Sequence, residues 1–134
     1  MIELQKASHC PIFKLILGKY TTVQDTQKYL TELSLRVDKQ DLFGIVMVFT
    51  DGQPTLQRGC QKLEKNWLTH HKDSFHKYCF GIAMVTNSWT ILNVWSPIIK
   101  QLLKRFLKVE YHVFDCNSDA QIWLMDKYLA IKRF

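Results

Sequence analysis

Hydrophobic and polar residues follow two different periodicities along this chain. Short, almost continuous apolar runs end at turn residues, which is typical of buried strands. Between them lie longer segments in which apolar residues recur every three or four positions, as on one face of a helix. The pattern predicts the order β-β-α-β-α-β-α-β-α. This alternation favours a mainly parallel α/β sheet with right-handed crossovers.

Five strands are predicted, the first of them a short antiparallel edge strand. Their expected positions are residues 2–6, 11–17, 43–49, 79–85 and 109–114. The run from Phe43 to Phe49 is the richest in β-forming residues and is followed by the turn residues Asp51 and Gly52. It is therefore predicted to be a central strand.

Four helices are predicted. Thr22-Val23-Gln24-Asp25 has the pattern of a capping box, so the first helix is expected to begin there and to run to about residue 39. The second is expected from Cys60 to Tyr78. Residues 86–88 supply caps for a third helix, which should either kink at Ser96-Pro97 or divide there into two abutting helices. Residues 118–121 have a capping pattern for the last helix.

The apolar stripes also predict the core. Buried positions are expected at Leu15, Val46, Val48, Ile82, Met84, Trp95, Leu102 and Trp123. Replacing Trp123 with alanine is expected to cost about 3 to 5 kcal/mol if the indole fills the core. At 134 residues the chain fits one domain, residues 1–134, because two separate cores would each be very small.

Several local motifs carry a resemblance to a known fold. They are Leu17-Gly18-Lys19-Tyr20, Trp67-Leu68, residues 78–85 and residues 119–124. Through them the chain resembles the SpoIIAA-like branch of the fold named after sulfate transporters and anti-sigma-factor antagonists, and more narrowly a group of small bacterial proteins of that branch. The resemblance implies a four- to five-stranded, mostly parallel sheet with about four helices. Since one fold serves many roles, it implies architecture rather than activity.

The resemblance also implies where a regulatory switch would lie. In the anti-sigma-factor antagonists, a serine after the central strand, in an Asp-Ser-Ser-Gly-like turn, is phosphorylated by the partner kinase. Here the corresponding segment is Thr50-Asp51-Gly52-Gln53-Pro54-Thr55, which lacks that turn. Thr50 or Thr55 could stand in for the serine.

Polar residues follow the predicted parallel strands, at the edge where ligands and partners commonly bind. The candidate binding residues are Thr50, Asp51, Thr55, Arg58, Thr86, Asn87 and Ser88. Such residues are also what turns and helix caps require, so an ordinary connecting loop is the alternative. The loop from Thr50 to Arg58 is the centre of the predicted site.

Motifs for cofactor, metal or nucleotide chemistry are missing from the sequence. It has neither a Gly-x-Gly-x-x-Gly segment nor a P-loop. The spacings of His70, His71 and His76 differ from the i, i+4 pairing of helical zinc ligands, so no metal site is predicted. Its cysteines are Cys10, Cys60, Cys79 and Cys116, which form no Cys-x-x-Cys pair. They are expected to be free buried thiols without a disulfide or a catalytic role.

The formal net charge of +6 raises the question of anionic partners. Its only dense cluster is Lys100, Lys104, Arg105 and Lys108, which is typical of the solvated face of a helix. No apolar run reaches the roughly 20 residues of a membrane span, and the first residues lack a signal pattern, so a cytoplasmic protein is expected.

These observations favour a non-catalytic regulatory or interaction module that binds another protein or a small ligand, with a homodimer left open and no cofactor. Two alternatives remain. One is attachment to an anionic membrane or nucleic acid through the basic cluster, although the scattered charge argues against nucleic acid. The other is an enzyme that uses the strand-end loops.

Overall fold

The computed structural model describes residues 2–6, 11–50, 55–87 and 108–132. Its strands are β1 (Ile2–Lys6), β2 (Ile12–Leu17), β3 (Tyr20–Thr21), β4 (Phe43–Phe49), β5 (Thr55–Leu56), β6 (Cys79–Val85) and β7 (Tyr111–Phe114). One sheet has the order β1-β2-β4-β6-β7. β1 is antiparallel to β2, and the other neighbours are parallel. The predicted mainly parallel sheet with an antiparallel edge strand is confirmed.

The described helices are α1 (Val23–Asp38), α2 (Cys60–Tyr78) and α3 (Asn117–Lys132). The helix predicted after Ser88, with its kink or division at Pro97, lies outside the described residues. The last helix begins before its predicted cap, because the Ala120 N–H already donates to the Cys116 carbonyl at 3.3 Å. Ser118 therefore belongs to the helix itself. No helix in the described ranges is long and apolar enough to cross a membrane.

The sheet separates two hydrophobic cores, because side chains of a strand alternate between its faces. α1 and α2 cover one face and α3 covers the other. The buried residues of the first core include Phe13, Leu15, Leu30, Leu33, Phe43, Ile45 and Phe75. Those of the second are Ile12, Val46, Phe80, Ala83, Val85, Ala120 and Leu124.

The predicted core positions are partly confirmed. The buried ones are Leu15, Val46 and Ile82. The half-buried ones are Val48, Met84 and Trp123. Trp95 and Leu102 lie outside the described residues. The half-buried side chains pack at the rims of the cores, where strand ends and helix flanks still meet solvent.

Trp123 is therefore not the core plug that its position in the stripe suggested. Its ring lies 5.8 Å from the rings of His112 and Phe114, measured between centroids. The Lys127 ammonium lies 4.8 Å above it. Because the indole keeps contact with solvent, the loss on truncation to alanine should fall below the 3 to 5 kcal/mol expected for a filled core site.

Two glycines allow α3 to lie close to the sheet. A Cβ added at Gly44 would lie 2.6 Å from Cε2 of Phe80, and one added at Gly81 would lie 3.0 Å from Cδ2 of Leu124. The pairing of β4 with β6 shifts at Phe80, which forms a β-bulge and turns its ring onto Gly44. The close packing of α3 on the sheet thus depends on the absence of side chains at Gly44 and Gly81.

The start of α1 is fixed by the predicted capping box. The Thr22 N–H donates to the Asp25 carboxylate at 3.0 Å, and the Asp25 N–H donates to the Thr22 hydroxyl at 3.1 Å. The hydrogen bond from the Thr22 backbone holds the pKa of Asp25 below its ordinary value of 3.8. A carboxyl with a lowered pKa stabilises the folded state above its unfolded-state pKa, and this contribution disappears as pH falls through the folded-state pKa.

Replacing Asp25 with alanine should therefore lower the free energy of unfolding by about 1 kcal/mol at pH 7. Urea unfolding at several pH values measures the difference between variant and parent, which should shrink below about pH 4. Asp38→Ala is the matched control, because a carboxylate in the last turn of the same helix does not support it. An Asp25→Ala deficit that stays constant down to pH 2 would contradict the assignment.

Candidate functional site at the carboxyl edge

Two short strands extend the carboxyl edge of the sheet. β3 follows β2, β5 follows β4, and the two pair in parallel with Tyr20 opposite Thr55. The Thr55 N–H donates to the Lys19 carbonyl at 2.9 Å, and the Gln57 N–H donates to the Thr21 carbonyl at 2.8 Å. Two loops that are distant in the sequence are thereby joined by backbone hydrogen bonds.

Side chains of this small ladder alternate between solvent and interior. Tyr20 is 48% exposed and Thr55 is also exposed, whereas Thr21 is 2% exposed and Leu56 is half-buried. Because directly opposite residues project from the same face of a ladder, Tyr20 and Thr55 stand side by side at the surface. Arg58 follows in the turn before α2 and is exposed too. We call Tyr20, Thr55 and Arg58 the edge platform.

Gln57 connects the edge platform to the starts of both helices. Its side-chain Oε1 accepts the Val23 N–H at 2.7 Å, and its carbonyl accepts the Cys60 N–H at 3.1 Å. It thus satisfies one of the N–H groups that each helix start leaves open. Gly59, the N-cap of α2, has φ +104, which favours glycine, and contributes no side-chain cap.

The two predicted phosphorylation positions differ in their surroundings. The N–H and the hydroxyl of Thr50 both donate to the Leu17 carbonyl at 3.1 Å, which fastens the end of β4 to β2. The hydroxyl of Thr55 makes no hydrogen bond within the part of the chain that the structure describes. Of the two hydroxyl groups, that of Thr55 is therefore the more accessible to phosphorylation.

Thr86, a predicted site residue after β6, is buried and is not part of the exposed surface. Thr86 is 1% exposed, and its N–H donates to the Phe114 carbonyl at 3.0 Å. Its burial corrects the expectation that it lines a surface site, because the carboxyl end of β6 is closed by pairing with β7. Asn87 is exposed beside it. Asp51 and Ser88 lie outside the described residues.

An open groove of about 360 Å³ lies between α1 and α2, and the sequence did not predict it. Trp67 lines it and donates its indole N–H to the Ser34 hydroxyl at 2.7 Å. The Trp67 ring is stacked on His71, with 4.4 Å between centroids and 16° between planes. The i, i+4 spacing of Trp67 and His71 is the sequence signal that could have predicted this pair.

His70, His71 and His76, which are close together in the sequence, each contact a different backbone carbonyl. Nδ1 of His70 lies 2.7 Å from the Asn66 carbonyl, and Nδ1 of His71 lies 2.9 Å from the Trp67 carbonyl. Since a carbonyl only accepts, each Nδ1 carries a proton and each Nε2 of a neutral ring is an acceptor. His76 makes the same kind of contact outside α2, with the Lys108 carbonyl. Within the described ranges, no three His, Cys, Asp or Glu side chains converge as metal ligands would.

The described cysteines are free thiols in different surroundings. Cys60 and Cys79 are buried, whereas Cys116 is exposed, which corrects the expectation that all of them are buried. Burial raises the pKa of Cys79 to about 12, so this thiol stays protonated at neutral pH. The Cys60 thiol points to the Thr21 carbonyl at 3.7 Å, beneath the edge platform.

Comparison with solved structures identifies the fold. An uncharacterised protein of the DUF3478 family from Shewanella loihica PV-4, described as having a SpoIIAA-like fold, matches with a TM-score of 0.64. The match has 15% sequence identity and covers 92% of each chain. No protein-family model and no curated protein matches this chain. The chain thus has the SpoIIAA-like fold that the sequence motifs predicted.

Proposed function

We propose that this protein is a non-catalytic, cytoplasmic regulatory module that binds another protein through the edge platform. The observation that supports this proposal is the β3–β5 ladder, which holds Tyr20 and Thr55 side by side and exposed at the carboxyl edge. Ligands and partners of open α/β sheets commonly meet this edge.

The edge platform suits protein recognition because it is ordered before binding. Backbone hydrogen bonds from Thr55 and Gln57 join its two loops, so little chain entropy remains to be lost when a partner docks. Tyrosine and arginine are enriched among the residues that carry most of the binding energy of interfaces. Tyr20 and Arg58 are the residues we expect to anchor the partner.

A non-catalytic role fits the way the hydroxyl groups of this edge are used. The Thr50 hydroxyl donates to the Leu17 carbonyl. Thr21 and Thr86 are buried beneath the surface. The Thr50 hydroxyl is thus used to fasten two strand ends, and burial keeps the Thr21 and Thr86 hydroxyls away from a substrate at the surface.

Phosphorylation of Thr55 would regulate this surface. The modification adds roughly two negative charges, three residues before Arg58 and ahead of the start of α2. Both a guanidinium and a helix N-terminus stabilise such charge, so the modified loop should remain folded. The phosphate would then pair with the Arg58 guanidinium and lower the affinity for a partner that binds Arg58.

The proposal predicts that Tyr20→Ala and Arg58→Ala together lose a partner that the parent retains. The tagged full chain is used to recover proteins from lysate of its native cell, and a photo-crosslinking residue at position 20 identifies the protein in contact. Leu35→Ala is the matched control, because Leu35 is also 48% exposed but lies on α1. Thermal unfolding shows that each variant is folded.

Three results would contradict this assignment. They are unchanged recovery by the Tyr20→Ala/Arg58→Ala variant, equal loss with Leu35→Ala, or loss only after the basic residues Lys100, Lys104, Arg105 and Lys108 are replaced. The last result would favour an anionic partner instead. Of that basic cluster only Lys108 is described, and it is exposed.

A further inference from the structure

The groove between α1 and α2 combines an apolar base with a polar rim. Leu30, Leu63 and Trp67 supply its apolar lining, and Leu30 is only 8% exposed. Its volume of about 360 Å³ is at the lower end of the range of about 300 to 1,000 Å³ that is usual for small-molecule sites. The groove therefore suits a compact ligand with an apolar face and polar edges. The exposed polar residues of the rim are Gln27, Thr31, Asn66 and His70.

The aromatic pair in this groove is oriented before a ligand binds. The Trp67 indole N–H donates to the Ser34 hydroxyl, and the Trp67 ring meets Phe75 edge to face, with 5.9 Å between centroids. His71 is stacked on Trp67, and its Nδ1 donates to the Trp67 carbonyl. A flat ring that packs against this pair would therefore cost little side-chain entropy. Aromatic side chains held in this way are typical surfaces for stacking a planar ligand.

Several hydrogen-bonding groups of the rim are unused within the described part of the chain. The carboxamides of Gln27 and Asn66 make no hydrogen bond to any described residue. Nε2 of a neutral His70 or His71 ring is an acceptor, because Nδ1 carries the proton. A ligand that brings both N–H donors and a ring-nitrogen acceptor would complement these groups.

The charge of the lining selects a neutral ligand. None of the described side chains that line the groove belongs to Lys, Arg, Asp or Glu. A phosphate or a carboxylate would therefore lose its hydration without gaining a charged partner. A long acyl chain fits no better, because it leaves the carboxamides and imidazoles of the rim without partners.

The groove faces away from the part of the chain that joins β6 to β7. α1 contacts β1, whereas α2 contacts β6, so the groove lies on the β1 side of α2. Lys108, which precedes β7, contacts His76 through its carbonyl. His76 follows Trp67 by nine residues, or two and a half helical turns, and therefore projects from the opposite side of α2. The described end of the β6–β7 connection is thus separated from the groove by the width of a helix.

We infer that this groove binds a neutral, planar nitrogen heterocycle with an exocyclic amino group, of which adenine is the representative. The ring would pack against Trp67 and His71. The carboxamide of Asn66 or Gln27 would accept from the amino group and donate to the adjacent ring nitrogen, as Asn and Gln do when they bind adenine. An imidazole Nε2 would accept the second amino N–H. The site is separate from the edge platform, so the failure of either proposal leaves the other intact.

Titration of the full isotope-labelled chain with adenosine, followed by NMR, tests the site directly. The Trp67 indole N–H signal should shift and saturate with a Kd of about 1 mM or tighter. The Trp123 indole signal should not shift, because Trp123 packs on the other face of the sheet. Purine riboside, which has the same ring without the amino group, should bind at least about fivefold more weakly. AMP should bind no more tightly than adenosine, since the groove offers its phosphate no cation.

A pair of variants tests the carboxamides. Gln27→Ala/Asn66→Ala should weaken adenosine binding by about tenfold, because each change removes a donor and an acceptor. Both positions are exposed, and thermal unfolding should show an intact fold. Gln24→Ala/Gln61→Ala is the matched control, since it removes two exposed carboxamides from the same helices that do not line the groove. Its affinity should stay within about twofold of the parent.

Histidine modification tests whether the groove is open in the full chain. Diethyl pyrocarbonate should modify His70 and His71, and adenosine should slow both reactions without protecting His76 on the opposite side of α2. An unreactive His70 in the absence of ligand would show that another part of the chain covers the groove, and would overturn the inference. So would a Trp67 signal that does not move at about 10 mM adenosine, equal weakening by the two double variants, purine riboside binding as tightly as adenosine, or tighter binding of AMP.

Discussion

Replacing Phe43 with alanine should lower the free energy of unfolding by about 3 to 5 kcal/mol. Phe43 is fully buried at the start of β4, and its ring meets Phe13 of β2 and Phe75 of α2 edge to face. The centroid distances are 6.3 Å and 5.7 Å. Truncation removes one of the contacts between the sheet and α2 and leaves a cavity that strands on both sides prevent from closing. Urea unfolding followed by circular dichroism measures the change.

Phe49 provides the comparison within the same strand. It lies on the same face at the other end of β4 and is only half-buried. Phe49→Ala should therefore cost clearly less than Phe43→Ala. Equal losses at the two positions, or a loss below about 1 kcal/mol at Phe43, would show that Phe43 is not the centre of the first core.

Replacing Gly44 with alanine should lower the free energy of unfolding by about 2 to 3 kcal/mol. The new Cβ would lie 2.6 Å from Cε2 and 2.9 Å from Cζ of Phe80, distances that force the ring to move. The ring has little room, because Phe80 is buried and packs against Tyr128 of α3 with 5.5 Å between centroids. Displacement of the Phe80 ring should therefore also disturb its packing against α3.

A double-mutant cycle tests whether this clash is the cause. In Gly44→Ala/Phe80→Leu, the smaller side chain leaves space for the new methyl group, so the double variant should lose less than the sum of the single variants. Gly81→Ala is a milder comparison, since its nearest neighbours are the ends of Leu124, Trp123 and Lys127 at 3.0 to 3.4 Å. Strict additivity, or a larger loss at Gly81, would contradict the explanation.

The sequence predicted the bounds of the long strands and helices closely where the hydrophobic periodicity changed at a turn or capping residue. The strand from Phe43 to Phe49, the helix from Cys60 to Tyr78 and the strand that follows it were placed with the bounds that the structure has. The capping box at Thr22 was confirmed with both of its hydrogen bonds. In each case a local rule decided the structure, and one sequence contains all that the rule needs.

Features that depend on two distant segments were not predicted. β3 and β5 are two residues each, too short to show a period, and exist because their parent strands lie side by side. Thr86 resembles any helix cap in the sequence, and only the pairing of β6 with β7 buries it. The sequence places Tyr20 and Thr55 at the same edge of the sheet, but only the ladder sets them directly opposite each other.

The buried face of α3 is a case in which residue spacing was enough, although apolar residues occur all around this helix. The spacing predicts a buried face of Ala120, Trp123, Leu124 and Tyr128. In the structure Ala120 and Leu124 are buried and Trp123 and Tyr128 are half-buried, whereas Ile122, Met125 and Leu129 are exposed. The room for this face comes from Gly44 and Gly81, which lie on strands far away in the chain.

The β3–β5 ladder also constrains how the sequence can change in evolution. Thr21 and Gln57 are joined through the backbone, and the Gln57 side chain accepts the first N–H of α1, so neither loop is independent of the other. A deletion that shortens one loop would shift its register against the other and remove the hydrogen bond that caps α1. Among related sequences, insertions in the two loops should therefore be rare, and changes near position 21 should be accompanied by changes near position 57.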